Sequence, residues 1–201
     1  MVRAGITRTR LTDAAADMAD EIGFENVTVL ALARAFGVKD ASLYSHIKNL
    51  RDLRQRVAVA SLSQLGDRVS DALAGRAGKE ALVAFASAYR DFAREHPGRY
   101  ASTQFELDPQ AAADSDAERH SLMSRAVLRG YNLTEPDETD AVRMLGSTFH
   151  GFIALEASGG FSHGLRESED SWVRMLDILH HALEHWPSAM KLTAMKLTGP
   201  E

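Results

Sequence analysis

Two short apolar runs on either side of one glycine constrain this chain more than any other feature. In the first, Leu30, Leu32, Ala33 and Phe36 recur at helical spacing, and Gly37 follows where a helix must stop and the chain must turn. A second segment begins at Val38. Asp40 stands where it can cap a helix running to about Ile47, because its carboxylate can accept from the unpaired backbone N–H groups of a first turn. Leu43 and Ile47 then share one face and pack back on the first helix, which leaves Lys39, Ala41, Ser42, Tyr44, Ser45 and His46 to face outward.

A short helix with so narrow an apolar stripe, carrying small and hydrogen-bonding side chains, suits a DNA major groove, which is roughly 12 Å wide and admits one helix. An ordinary helical hairpin with a solvated outer face has the same spacing, since short helix pairs joined by a glycine turn are common.

The order of residues separates the two readings. The run Leu32-Ala33-Arg34-Ala35-Phe36-Gly37-Val38, then Ser42-Leu43-Tyr44-Ser45-His46-Ile47 and Asn49-Leu50-Arg51-Asp52-Leu53, resembles the DNA-binding region of the TetR family of bacterial transcriptional regulators. The resemblance implies an all-helical homodimeric repressor whose N-terminal helices bind a palindromic operator and whose remaining helices bind an inducer and the partner subunit. Thr28 matches a position where that family commonly places a Ser or Thr on a phosphate. There are two departures. Ile47 replaces the usual aromatic, and Asn49-Leu50 stands where many members have Ser-Lys, with the phosphate-contacting lysine found at Lys48 instead.

With 201 residues the chain is long enough to bury a sizeable core. Cysteine is absent, which removes disulfides and thiolate chemistry and agrees with a reducing cytoplasm. No charged-then-apolar leader opens the chain and no long apolar run spans it, so a cytoplasmic protein with no membrane partner is expected. The net charge of −5 argues against nucleic acid, but its distribution answers that objection. Residues 1–56 hold nine Lys and Arg against seven Asp and Glu, or +2, and the remainder is −7. Arg3, Arg8 and Arg10 precede the first helix, and Lys48, Arg51, Arg54 and Arg56 follow the third, which is where phosphates would lie.

Apolar periodicity and breakers predict an all-α chain of about nine helices, three of them over 1–50, a larger helical part over 51–187 and a tail over 188–201; the resemblance implies that the first part is a helix-turn-helix DNA-binding domain and the second a ligand-binding and dimerisation domain. The predicted helices are 9–22, 28–36, 40–47, 51–73, 79–95, 99–107, 114–131, 134–158 and 171–185, with Thr28 and Thr134 as caps and His96-Pro97-Gly98 as a break. The helix over 51–73 starts beside the reading head and ends in the second domain.

Phe149-His150-Gly151 and the residues after it resemble the C-terminal regulatory domain of one TetR subgroup, with Phe149 in the place of a usual Trp. Gly151 inside a helix costs about 1 kcal/mol against Ala, and a close helix or ligand approach is the usual compensation. Phe85, Tyr89, Phe92, Tyr100, Phe105, Met123, Met144 and Phe149 can wall a small-molecule cavity, with His150 as a polar anchor or as a satisfied core histidine. Aromatic and methionine side chains are more often plain core, and the cavity rests on the resemblance. Phe152, Trp172, Met175 and Leu179 are expected at the dimer interface.

His181 and His185 have a spacing that can hold zinc, and His180 adds a third imidazole, but no cysteine or HExxH pattern assists. A solvated or dimer-facing cluster is expected there, with no metal and no cofactor. No nucleophile elbow, carboxylate pair or phosphate-cradling glycine loop is present. The reading is a DNA-binding transcriptional regulator and not an enzyme: a repressor released from a palindromic operator by a small, mostly apolar effector. The alternative is a helical enzyme or scaffold protein with a chance hairpin.

Overall fold

Helix α1 (Arg8–Ile22) opens at Thr7, whose hydroxyl accepts from the Arg10 N–H at 3.2 Å, and closes at Gly23, whose φ of 90° turns the chain out of the helix. Its buried face is Leu11, Ala15, Ala16 and Ala19. Small residues on that face allow other backbones to come close. The computed structural model describes residues 5–187, so Arg3 and the tail 188–201 lie outside the described residues. Among the described residues there are nine α-helices, three short 3-10 segments and no strand.

After a 3-10 turn (Phe24–Asn26) come α2 (Val29–Phe36), a 3-10 run (Asp40–Ser45) and α3 (Leu50–Leu73). They are followed by α4 (Gly78–Glu95), α5 (Pro97–Ser102), α6 (Pro109–Ala113), α7 (Ala117–Leu128), α8 (Asp137–Ala157) and α9 (Ser168–Glu184). No helix among the described residues is long and apolar enough to cross a membrane.

The described residues pack as two compact units, one of residues 5–68 and 91–119, the other of residues 69–90 and 120–187. The boundary at residue 50 expected from the sequence is therefore displaced, and the reason is apolar. Leu53 and Val57 of α3 are buried in the same cluster as Leu11, Leu32 and Leu43, and Phe105 packs against it, so the head has no complete core at residue 50. Fully burying a leucine contributes roughly 2 kcal/mol, and a head cut at 50 would expose several.

In the first unit α5 lies on α1 at very short range. A Cβ placed on Gly98 would meet the Ala19 carbonyl carbon and oxygen at 2.0 Å and the Asp20 nitrogen at 2.5 Å. Polar contacts fasten the same junction: the Arg99 N–H donates to Asp20 Oδ1 at 2.8 Å, and the Arg99 guanidinium reaches Asp17 and Asp20. Tyr100 is buried on α5, and burial pushes its phenol up to about 12.

In the second unit, α8 buries Ala141, Leu145, Phe149 and Ile153, one residue every four, and α9 buries Trp172, Leu176, Leu179 and Leu183. Leu82, Phe85 and Ala86 of α4 complete this core.

Several predicted boundaries move, each for a local reason. The segment 40–47 is a tight 3-10 run and not an α-helix; Asp40 caps no first turn but takes the N–H of its own neighbour Ala41 at 2.8 Å, and Ser45 Oγ donates to the Ser42 carbonyl. Leu30 is 53% exposed, and Val29 takes the core position beside Leu32 and Ala33. Pro97 opens α5 as its first residue instead of only breaking α4. Where a turn is expected at Asp108-Pro109 there is a further short helix, α6, which Asp108 caps through the Ala111 N–H at 2.8 Å, and the predicted helix 114–131 begins only at Ala117, whose N–H Ser115 Oγ takes at 3.3 Å. Pro136, not Thr134, occupies the cap position of α8.

Candidate nucleic-acid interface

The presented segment is set by the caps around it. Thr28 Oγ1 accepts from the Ala31 N–H at 3.1 Å and starts α2, so its hydroxyl proton remains available to a phosphate oxygen. Gly37, at φ 65°, ends α2 in the left-handed region, and the Val38 N–H returns to the Ala33 carbonyl at 3.0 Å. Leu43 and Ile47 are buried against the head core. Ala41, Ser42, Ser45 and Lys39 are exposed, Tyr44 is 53% exposed despite its aromatic ring, and His46 is half-buried.

The exit from this segment carries a signal that the sequence reading passed over. Asn49 Oδ1 accepts from the Asp52 N–H at 2.9 Å, while the Asp52 carboxylate accepts from the Lys48 N–H at 3.0 Å. Asn49 thus caps α3, with Asp52 reaching back to the residue before the cap; the departure at Asn49-Leu50 is the start of α3. Arg56 joins in, donating to Asp52 and to the His46 carbonyl, so the backbone of the presented turn is tied to α3.

The basic cluster after the presented segment works differently from the expectation. Arg54 donates to the Glu25 and Val27 carbonyls over the Phe24 ring, Arg56 is engaged as above, and Arg51 reaches the Glu106 carbonyl over Phe105. The half-buried guanidiniums of Arg54 and Arg56, held by backbone carbonyls, fasten the head, whereas Arg51 stays exposed, as do Lys39 and Lys48. Beside Lys48, a cleft of about 600 Å³ runs between α3 and α6, lined among others by Arg51, Gln55, Arg56, Asp108 and Asp114. None of the residues expected to wall a ligand cavity lines it.

Those nine residues divide between the units. Phe92, Tyr100 and Phe105 fall in the first, where Phe105 meets Phe24 edge-on at 5.6 Å and Phe92 faces His96 at 5.3 Å. Of these, Phe105 packs against the head core. Phe85, Tyr89, Met123, Met144, Phe149 and His150 fall in the second unit. There Phe85 lies 4.9 Å from Tyr89 and 6.2 Å from Phe149, ring to ring, and Tyr89 Oη bonds His120 Nδ1 at 2.7 Å. His120, buried on α7, was not singled out from the sequence, where one histidine in a charged stretch carries no signal. His150 is exposed on α8, so it is not the buried anchor. Gly151 has no neighbour within 4 Å of a built Cβ, which removes the close approach expected within the chain.

Of the expected dimer residues, Trp172 is internal and Phe152 half-buried. Trp172 is 2% exposed and packs on Phe149 and Phe152, and Phe152 also packs on Phe161. The Trp172 ring of α9 thus serves the protomer's own core. Arg90 lies over both rings, buried, with Glu156 at 2.7 Å and Glu169 at 2.8 Å. Burial works against its charge, but the hydrogen bonds and charges of these two carboxylates outweigh it and raise its pKa above the ordinary arginine value. Met175 and Leu179 line a shallow groove of about 460 Å³ that also touches Thr148 of α8 and Ile178.

A capped helix, a left-handed glycine turn and a short exposed segment whose inner side is locked into the head define a helix-turn-helix transcriptional regulator. Comparison with known proteins narrows the class. Residues 11–57 match the model of bacterial regulatory proteins of the tetR family, and residues 82–179 match the tetracyclin repressor-like C-terminal domain. The chain is similar to the uncharacterized HTH-type transcriptional regulator YobS of Bacillus subtilis (strain 168), with 33% identity over 159 residues, 79% of this chain and 83% of the relative. It is 33% identical over 160 residues to the uncharacterized HTH-type transcriptional regulator Rv0681 of Mycobacterium tuberculosis, covering 78% of this chain and 72% of that one. Among solved structures, a TetR variant from Acinetobacter baumannii AYE, in complex with minocycline, shares the fold with a TM-score of 0.68 at 17% identity, covering 92% of this chain and 100% of that one. The chain belongs to the TetR family of bacterial transcriptional regulators.

Proposed function

We propose that this regulator is a repressor: a homodimer that holds a palindromic operator through Thr28, Lys39, Ala41, Ser42, Tyr44, Ser45, His46 and Lys48, and leaves it when a small molecule binds the second unit. The observation that carries the reading is Tyr44, a half-exposed aromatic flanked by the exposed Ala41, Ser42 and Ser45 while Leu43 and Ile47 anchor the same turn. The small residues around the ring let the segment come close to a DNA surface, and the tyrosine hydroxyl can donate to a phosphate there. A palindrome requires two heads related by a two-fold axis, and the recognition segments must reach successive major grooves about 34 Å apart.

The partner surface is the outer side of α8 and α9. Leu155, Val173 and Ile178 are each more than half exposed, and Gly146 and Gly151 of α8 have open space over their Cα atoms. Flat glycine positions beside exposed aliphatic side chains favour a close-packed helix interface, so a second copy supplies the approach that Gly151 lacks within one chain. Met175 and Leu179 line the groove that such a partner would fill.

The effector reading rests on the second unit's aromatic cluster. Phe85, Tyr89 and Phe149 surround a single hydroxyl–imidazole pair, Tyr89–His120, which favours a mostly apolar molecule with one hydrogen-bonding group. That a chain of the same fold carries minocycline supports a small-molecule effector. Because α3 belongs to both units, a shift of this helix would move the heads, and effector and operator would weaken each other by the same factor. The site of action is the bacterial cytoplasm, where the chromosome lies.

The test is capture of DNA fragments from the source genome, followed by a titration at several salt concentrations. Affinity must fall log-linearly with salt, and Tyr44→Ala must bind the captured fragment at least tenfold more weakly than the unmodified chain. Equal binding by Tyr44→Ala removes the assignment of the reading head. A monomer in sedimentation at micromolar concentration removes the dimer.

A further inference from the structure

The C-terminal end of α9 brings together side chains that the regulator reading does not use. His181 and His185 lie one above the other, ring centroids 4.2 Å apart, and Glu184 stands beside them. One ligand atom from each of the three lies within 4.8 Å of the others, and all three residues are exposed. We propose that His181, Glu184 and His185 bind a borderline divalent transition ion of the Zn2+, Ni2+ or Cu2+ type.

The donor set and its supports both point this way. Two imidazole nitrogens on a tetrahedral zinc sit about 3.3 Å apart, given metal–nitrogen bonds of roughly 2.0–2.1 Å. Closing from under 4.8 Å to that distance needs only side-chain rotation of exposed residues, with no movement of the helix. The His185 ring is already set for ligation. Its Nδ1 lies 2.9 Å from the His181 carbonyl oxygen. A carbonyl can only accept, so Nδ1 carries the proton and the lone pair of Nε2 is left to a metal.

Glu184 is oriented from the other side. Tyr131 Oη lies 3.0 Å from His180 Nδ1, and His180 Nε2 lies 3.4 Å from Glu184 Oε1. With the tyrosine hydroxyl donating to Nδ1, the proton on Nε2 faces the carboxylate, and the second carboxylate oxygen remains for the ion. A chain of this kind behind a ligand is the usual support of a metal site. Imidazole and carboxylate without thiolate suit Zn2+, Ni2+ and Cu2+ over Mg2+ and Ca2+, which prefer all-oxygen shells. Three protein ligands leave the remaining positions to water.

The test is a titration of the full-length, tag-free protein with Zn2+ by calorimetry, and with Co2+ by its visible absorption. Saturable binding of one ion per chain is expected, with Mg2+ in excess unable to compete. His181→Ala and His185→Ala must each lower Zn2+ affinity tenfold or more, and His163→Ala, at an exposed histidine elsewhere, must leave it unchanged. The paired substitution of His181 and His185 by Gln, checked for native helicity, guards against loss of fold. Absence of saturable binding, or equal affinity in the doubly substituted chain, overturns the proposal.

Discussion

Gly98→Ala tests how the head is held. The added methyl would sit 2.0 Å from the carbonyl carbon and oxygen of Ala19, and both are backbone atoms of α1 that no rotamer change can move. An ordinary carbon contact is about 3.5 Å, so α5 and α1 must separate by roughly 1.5 Å. That displacement stretches the Arg99 N–H to Asp20 bond, now 2.8 Å, and the ion pairs of Arg99 with Asp17 and Asp20. Overpacking costs typically about 1–3 kcal/mol where side chains can yield; with backbone on one side we expect about 3 kcal/mol. For a chain of this size that lowers Tm by roughly 6–12 °C. Thermal unfolding followed by circular dichroism measures it, with Gly5→Ala as the control. Nothing lies within 4 Å of a Cβ at Gly5, so that change should leave the Tm unaltered. A Gly98→Ala variant melting within about 2 °C of the unmodified chain refutes the close α1–α5 packing.

Arg90→Ala should lower stability by about 3 kcal/mol in urea unfolding, since it strips the counter-ion from the largely buried Glu156 and the cation from the faces of Phe152 and Trp172. Glu169 is 61% exposed and adds little to that loss; a change below about 1 kcal/mol would show that the cluster is not a stabilising centre. The Asp108 carboxylate accepts from the Ala111 N–H and then from Gln55, and these bonds hold it below the usual carboxylate range. A depressed folded pKa contributes stability that is complete above the unfolded value, near about pH 4, and is lost as pH falls through the lowered one. Asp108→Asn should therefore flatten the acid limb of the stability profile below about pH 4, and an unaltered limb would count against the cap.

Periodicity was enough for α1, α2 and the long helices α3, α4, α8 and α9, and not for the segment 40–47, which is a 3-10 run. Apolar residues three and four apart specify a buried stripe wherever the chain meets a core. Gly23, Gly37 and Thr28 mark helix ends because a positive φ and an oxygen over an unpaired N–H are requirements of the backbone itself. The presented turn was legible for the same reason, and its ordered residue types gave the family. Less local signals were readable only in part. Asn49 caps α3 by a known rule yet looked like a departure from the family's residues.

The tertiary structure alone decided what each apolar or charged side chain does. Phe105 and Phe149 are indistinguishable as aromatic positions on helices, but one closes the head against Phe24 and the other lies in the second unit against Phe85. Arg54 and Lys48 read alike as cations after the presented turn, and only the placement of the Glu25 and Val27 carbonyls makes one a fastener and leaves the other exposed. Trp172 has the composition of an interface anchor, and Phe149, Phe152 and Arg90 cover it within its own chain. The reason is one of range. Helix periods and caps are settled by residues within about four positions of each other, whereas burial, ion pairing and unit membership depend on residues tens of positions away, whose arrival a linear pattern does not encode.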